Sequence, residues 1–486
     1  MSGFLPVLNV LARIMLGFSL LFLVPLGWAW ALDQEHLRNI WLQGMGLTFG
    51  SGLLLLLLTR QYKQELRPRD GFLLVNLVWM VMPAFSAVPL MLAIDGFSWT
   101  DAYFESMSAL TATGSTVLTG LDALPVSVNV WRCFLQLMGG LGIMLLVVAV
   151  LPLLGLGGVQ LYKAETPGPM KDARLTPRIA ETARGLWGVY FSFSALCMLS
   201  YRWVGMSWED AFMHMCTTMG LGGSSSHDAS FGYWNSAAVE GVATFFMALA
   251  GVSFARYFIV WRARSLTSLL RDVEVRTYAF VLLASVVILS VVLTVHGTYP
   301  DYLRALRAAA FHVVSVATTT GYASADYALW PVFAPVLLMF LGSFVSCAGS
   351  TGGGIKMVRM VILVKQARRE LVRAIHPRVV NPIIMGHVPI SVTVTASVMA
   401  YMLIYGATIL GLTMLMLLSG LDILTAFSAV VATVNNIGPG LGQVGPSSSF
   451  GVLTDFQTWV CTIGMLMGRL ELLGVMVLFL PQFWRK

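Results

Sequence analysis

Four short strings in this chain put threonines and glycines where a backbone could ligate a bare cation: SALTATGSTVLTG from Ser108, CTTMGLGGSSS from Cys216, SVATTTGYAS from Ser315 and ATVNNIGPG from Ala432. In each, an aromatic precedes a glycine by about ten residues, at Gly114, Gly223, Gly321 and Gly438. A dehydrated cation needs oxygen ligands in place of its lost water, and a ring of main-chain carbonyls supplies them without a fixed charge. Glycine permits the dihedrals that aim such carbonyls at an axis, and it leaves no side chain in the path. The hydroxyls of Thr111, Thr113, Thr217, Thr218, Thr318 to Thr320 and Thr433 can buttress the turns. A helix C-cap would explain any one of the glycines. Four in register, each between two apolar spans, argue for one shared site.

The elements that must position these turns follow from their lengths. Each turn ends an apolar piece of about ten residues, too short to cross a bilayer. A re-entrant half-helix is the natural reading, and four of them predict a pseudo-fourfold ring around an axial pore. The surrounding chain suits that setting: of its 486 residues 57% are hydrophobic and 11% charged, with a mean hydropathy of +0.79. Apolar runs of about 18 residues or more recur from end to end, which predicts an all-α polytopic membrane protein. We expect spans near 10–32, 40–59, 71–94, 130–154, 186–203, 236–260 and 278–295, and three more beginning near Val332, Ile390 and Thr458. The first run lacks the features of a cleaved signal and is read as a retained helix.

After an initial helix pair (residues 1–70), the order membrane helix, pore half-helix, polar turn, membrane helix occurs four times. The repeats are assigned to 71–165, 166–265, 266–378 and 379–486. Basic residues collect on one side, around Arg60 to Arg69, Lys163 to Arg184, Arg256 to Arg276, Lys356 to Arg378, and Arg485 with Lys486. Positive-inside asymmetry then places both termini in the cytoplasm and the glycine turns at the outer face. It also accounts for the net charge of +7 without a nucleic-acid partner. The outer side is acidic (Asp95, Asp101, Glu105, Asp122, Glu209, Asp210, Asp228, Asp301, Asp326, Asp422, Asp455), either a cation-focusing vestibule or ordinary loop charge. The five scattered cysteines form no CxxC pair and support neither disulfides nor zinc. His214, His227, His312 and His387 show no ligand spacing and are expected in packing or at the surface, although a proton-relay role for His214, His312 or Glu240 stays open.

With these motifs in hand, the chain resembles the membrane subunit of the bacterial Trk potassium uptake system, the TrkH/TrkG type of the Trk/Ktr/HKT superfamily. The strings that carry the resemblance are SALTATGSTVLTGLD, GLGGSSSHDASFGYW, ATTTGYASADYALWP, SCAGSTGGGIKMVR, NNIGPGLG and GMLMGRLELLG, spread over nearly the whole chain. The resemblance implies potassium uptake across the bacterial inner membrane, not enzyme activity. It implies filter turns at Thr111, Ala112, Thr113 and Gly114; Gly220, Leu221, Gly222 and Gly223; Thr318, Thr319, Thr320 and Gly321; and Asn435, Asn436, Ile437 and Gly438. In the resembling family glycine in all four positions goes with potassium preference, whereas serine in the first is seen in sodium-carrying plant relatives; this chain keeps Gly114. One departure is that family members commonly carry an aromatic after the second filter glycine, where this chain has Ser224, so Gly222 is an alternative to Gly223. The alternatives in function are a sodium-permeable or weakly selective cation transporter, and an intramembrane lipid-modifying enzyme. The enzyme would need clustered acids or histidines at one depth, and Glu240 and Glu471 are the only acids well inside spans.

Inside the filter, the third repeat's second span is interrupted by Cys347-Ala-Gly-Ser-Thr-Gly-Gly-Gly354. Consecutive glycines cost about 1 kcal/mol each in a helix, so the span is expected to break there. Exposed backbone at that depth is tolerated only beside a water-filled cavity or within protein. A loop across the pore satisfies both conditions, and the resembling family has a gating loop here, which implicates Gly349, Gly352, Gly353 and Gly354. A Walker-type phosphate cradle is rejected, because Ile355 separates Gly354 from Lys356 and Met357 stands where Ser or Thr should be. Arg469, deep in an apolar span, is expected to face the pore as an electrostatic barrier near gating-loop carbonyls, or else to pair with Glu240 or a carbonyl of a neighbouring helix. The basic segment Lys356 to Arg378 is read as cytoplasmic, either beside anionic membrane lipid or as a docking surface. The resemblance further implies a homodimer, potassium ions in the filter, no covalent cofactor, and a cytosolic ring subunit of the TrkA type that carries the nucleotide (NAD or ATP).

Overall fold

A computed structural model describes residues 4–62, 66–145, 175–386 and 388–485. Lys63, Lys163, Lys171, Arg174, Lys486, His387, the end of the fourth expected span and the 165/166 boundary lie outside the described residues. Two long helices, Leu5–Ala31 and Glu35–Thr59, open the chain. Asn9 of the first donates to the Thr59 carbonyl at 3.0 Å, which ties the start of one helix to the end of the other.

The order long helix, short helix, loop, second helix then recurs four times. The long helices are Pro68–Ala93, Leu175–Trp203, Val273–Val295 and Val392–Leu418. The short ones are Trp99–Leu110, Trp208–Gly220, Tyr302–Ala317 and Ile423–Val434, of 12, 13, 16 and 12 residues. All four short helices begin in the same way. Ser98, Ser207, Asp301 and Asp422 each accept a hydrogen bond from the backbone N–H three residues on, which satisfies a donor that the first turn leaves free. Their remaining turns are almost wholly buried, as a helix enclosed by others must be.

The second helices differ, and here the structure departs from the expectation of one broken span. Val126–Leu145 is continuous. Ala237–Ala250 and Phe254–Ala263 meet at 85°, and Asp455–Arg469 and Leu473–Phe479 meet at 105°. In the third repeat Phe333–Gly342 and Met357–Ile375 are separated by a loop. The unforeseen bend after Ala250 has a packing cause. A methyl group at Gly251 would come within 2.5 Å of the Tyr278 hydroxyl and 3.0 Å of Thr318, so the chain turns where only glycine fits. Its exposed backbone groups are re-paired with the loop of the third repeat: Cys347 N–H donates to Gly251 O at 3.0 Å and Phe254 N–H to Gly349 O at 3.1 Å.

Of the ten expected spans, five helices are long and apolar enough to cross a membrane alone, and the two bent pairs bring the number to seven. The other three are Val126–Leu145 and Leu175–Trp203, which abut undescribed residues, and the split helix of the third repeat. The only strands among the described residues are a two-residue hairpin, Ile384–Met385 against Val388–Pro389.

Candidate functional site

Each short helix runs into a turn whose backbone alternates in hand. Ala112, Leu221, Thr319 and Asn436 have φ of 50°, 53°, 63° and 54°, and two residues later Gly114, Gly223, Gly321 and Gly438 have φ of 82°, 67°, 85° and 105°. Left-handed backbone at four non-glycine residues is costly unless the surroundings enforce it. Its recurrence at one position in every repeat marks a built feature. Alternation of hand turns successive carbonyls to the same side of the chain.

The four turns face one another in a cycle. A methyl group at Gly114 would fall on the carbonyl oxygen of Gly222, one at Gly223 on that of Thr320, and one at Gly321 on that of Ile437. At Gly438 it would come within 3.0 Å of the Thr113 oxygen. Repeat one therefore meets two, two meets three, three meets four, and four returns to one. The cycle is interlocked by side chains: Asn436 Nδ2 donates to Thr113 Oγ1 at 2.8 Å and Ser115 Oγ to Gly438 O at 2.7 Å. Tyr322 reaches from the third turn to bond Thr217 and Thr218 behind the second. Thr111 with Thr113, and Thr318 with Thr320, pair at 2.7 and 2.8 Å. Of the sixteen turn residues named from the sequence, Thr113, Gly114, Gly222, Gly223, Thr320, Gly321, Ile437 and Gly438 meet across this cycle.

Sequence reading missed the residues that pin the outer arm of each turn. Nine positions before three of the glycines stand Glu105, His214 and His312. Glu105 accepts from Thr116 Oγ1 and Val117 N–H, His214 Nε2 meets Ser225 Oγ at 3.0 Å, and His312 Nε2 accepts from Ser324 and Ala325 N–H. In the fourth repeat Ser428 Oγ accepts from Leu441 N–H at 2.8 Å. Superposing the repeats at their glycines would have exposed the position shared by the first three, with Ser428 one residue earlier in the fourth. The buried histidines are thus packing residues, and no group of three or more His, Cys, Asp or Glu suited to a metal occurs among the described residues.

At one mouth of the ring a cavity of about 290 Å³ has Gly114, Gly223, Gly321 and Pro439 in its lining, together with Asp228 and Arg132. Arg132 is buried against Glu105 at 2.6 Å. Part of the acidic skew is therefore structural, since Asp301 and Asp422 cap helices and Glu105 holds an arginine. At the rim His227 bonds Asp122 and lies 3.4 Å from Asp210, its ring stacked on Tyr233. Burial alone would lower the His227 pKa, but the bonds to Asp210 and Asp122 outweigh it and hold the pKa above the usual 6.5. For Asp422, the cap bonds from Thr425 hold the carboxyl below its usual range.

The opposite end of the ring is covered by the segment between Gly342 and Met357. Gly353 N–H donates to Thr319 Oγ1 at 2.8 Å, and Thr351 Oγ1 to Met219 O at 2.9 Å. A methyl at Gly353 would fall on the Asn435 carbonyl, and one at Gly352 would lie 2.9 Å from that of Thr318. Gly349 and Gly354 are left-handed, at φ 77° each. Arg469, buried, donates to Thr351 O at 2.9 Å and to Gly139 O at 3.1 Å. It does not pair with Glu240, whose carboxylate is held by Arg307 through two bonds of 2.8 Å.

The expectation of a wholly cytoplasmic basic segment is corrected at its start. Lys356 and Arg359 are buried: Lys356 Nζ donates to Gly352 O, and Arg359 pairs with Glu471 at 2.5 Å and lies 4.2 Å above the Tyr401 ring. These partners make burial of two cations tolerable.

Comparison with known proteins agrees with this geometry. The TrkH family model, described as a cation transport protein, matches residues 36–486. The chain is 42% identical over 486 residues to the Trk system potassium uptake protein TrkH of Halomonas elongata, covering 99% of both chains. It is 38% identical over 484 residues to the TrkH of Escherichia coli K12, covering 99% of this chain and 100% of that one. The crystal structure of the potassium transporter TrkH from Vibrio parahaemolyticus superposes with a TM-score of 0.92 at 36% identity, covering 99% of this chain and 100% of that one. A multi-pass helical chain that matches these transporters from end to end belongs to the TrkH family of cation transport proteins.

Proposed function

We propose that this chain takes up potassium, and that the ion sheds its water at the cycle of carbonyls from Thr113, Gly222, Thr320 and Ile437 and the turns around them. The observation that carries the reading is the closure of that cycle: four left-handed glycines, each against the next repeat's carbonyl. The relatives matched over their full length are named for potassium uptake. Carbonyl dipoles replace hydration without binding the ion too tightly to leave.

The segment from Gly349 to Gly354 would act as the inner gate, with Arg469 as its electrostatic lock. Its contacts to three quadrants of the ring support this role. Charge asymmetry supports both termini on the cytoplasmic side of a bacterial inner membrane. The Trk system named for the relatives implies partner subunits. A homodimer and a cytosolic nucleotide-binding ring of the TrkA type, carrying NAD or ATP, fit that reading. The four helix–half-helix–helix units would be the functional quadrants.

The test is growth of a potassium-uptake-deficient bacterium at micromolar potassium, with and without a co-expressed ring subunit. It is paired with rubidium uptake under sodium competition in reconstituted vesicles. Rescue together with rubidium uptake that resists excess sodium is expected. No rescue with well-folded protein in the membrane would reject the reading.

A further inference from the structure

Three quadrants of the ring present a carbonyl that accepts no side-chain hydrogen bond among the described residues, those of Thr113, Thr320 and Ile437. The fourth does not. Gln136, fully buried on Val126–Leu145 of the first repeat, donates from Nε2 to the Gly222 carbonyl at 3.0 Å. The same amide group bonds Ser224 Oγ at 2.6 Å, and Gln136 Oε1 accepts from Ser224 N–H at 3.3 Å. Both ends of the carboxamide are thereby used, one on each side of Gly223. A side chain from one repeat thus clamps the filter turn of the next.

The local sequence makes room for this clamp. The residue before the filter glycine is Thr113, Thr320 and Ile437 in the other turns but Gly222 here, and a methyl at Gly222 would fall on the Gln136 carboxamide. The residue after the filter glycine is Ser224, small enough to let the amide reach past it. In the third turn the same position is Tyr322, which bonds Thr217 and Thr218 instead. The second turn has no ring of its own behind it: Tyr322 of the third turn supports its Thr217 and Thr218, and among the described residues Gln136 alone reaches its Gly222 carbonyl.

We propose that Gln136 is the positioning residue of the second quadrant: by holding the Gly222 carbonyl it fixes the ring's width there and so contributes to discrimination between potassium and a smaller cation. A smaller ion is ligated well only if carbonyls move inward, and a carbonyl held from behind resists that movement. The inference rests on the potassium-filter reading above. Gln136 itself does not touch the ion.

The experiment compares the parent chain with Gln136→Met, Gln136→Asn and Ser224→Ala in reconstituted vesicles. Rubidium uptake is measured against increasing sodium, alongside membrane abundance and melting temperature. Gln136→Met keeps the length but loses the donor; Gln136→Asn is one methylene too short and serves if the first variant does not fold. Both are expected to lose about three- to tenfold in rubidium-over-sodium preference, the worth of one hydrogen bond. Their maximal rate per folded molecule should stay within about twofold of the parent, because rate and ion preference separate when only positioning is lost. Ser224→Ala leaves the Gly222 bond in place and should keep the parent's preference. A maximal rate that falls for both ions with the preference unchanged would make Gln136 a merely structural residue. So would loss of preference in Ser224→Ala equal to that in the Gln136 variants, which would move the role to Ser224. A parent that shows no preference overturns the filter reading and this inference together; a selective parent whose Gln136 variants stay selective overturns the inference alone.

Discussion

Arg469 donates to the carbonyl of Thr351 at 2.9 Å across 118 residues of sequence, joining the fourth repeat's second helix to the loop that closes the ring. The contact does two things at once. It places a cation beneath the ring of turns, and it joins the loop that bonds Thr319 and Met219. Removing the charge should therefore open the path as well as lower the barrier. Arg469→Ala is expected to raise cation flux about tenfold, roughly 1.4 kcal/mol off the barrier. Rubidium influx into vesicles at matched protein density measures it, and unchanged or reduced flux in folded protein would count against the barrier.

The ring glycines should not be equally sensitive. Left-handed strain of about 1–2 kcal/mol adds to overpacking of about 1–3 kcal/mol wherever a side chain is introduced. At Gly114, Gly223 and Gly321 the new atom lands on a neighbouring carbonyl, whereas at Gly438 it stops 3.0 Å short. Serine at any of the first three is expected to cut rubidium uptake at least about tenfold. Gly438→Ser should retain the most activity of the four, and a different ranking would contradict the geometry.

The Glu105–Arg132 pair is buried on both sides, and Arg132 also bonds Asn129 and Thr116. Removing one partner strands the other charge, a loss of about 3–5 kcal/mol. Glu105→Ala should lower the melting temperature in detergent far more than the double change Glu105→Leu with Arg132→Met. Equal losses would mean that the pair acts through shape alone.

At the outer rim, His227 has its pKa raised by Asp210 and Asp122 against the opposing effect of burial. A raised pKa means that the protonated form is favoured in the folded state. Its stabilisation is fully present below pH 6.5 and is lost as pH rises through the folded value. Melting temperature should therefore fall with rising pH in that window in the parent and stay flatter in His227→Gln. Parallel curves would show that the contact carries no proton linkage.

How much of this was legible beforehand depended on the kind of signal. Apolar length and the fourfold recurrence of a glycine after a short apolar piece were enough for the all-α membrane architecture and for the position of the four left-handed glycines. The break before Lys356 was readable from three glycines in a row. The bends after Ala250 and Arg469 were not, because no proline or glycine run marks them: the first is held by bonds of Gly251 and Phe254 to Cys347 and Gly349, and the second turns through left-handed Glu471 and Leu472. Lys356 and Arg359 were misplaced because a run of basic residues looks cytoplasmic until Glu471 and Tyr401 are seen to receive its first members. Gln136 carries no local signal at all, since its partner is a backbone oxygen in another repeat.

In channels assembled from four identical subunits, one altered codon changes every corner of the filter together. Here a single gene encodes each corner separately, and the corners already differ: a glutamine clamps the second, a tyrosine follows the glycine of the third, a proline follows that of the fourth. Mutation can therefore retune ion preference one side at a time, through intermediates that still conduct.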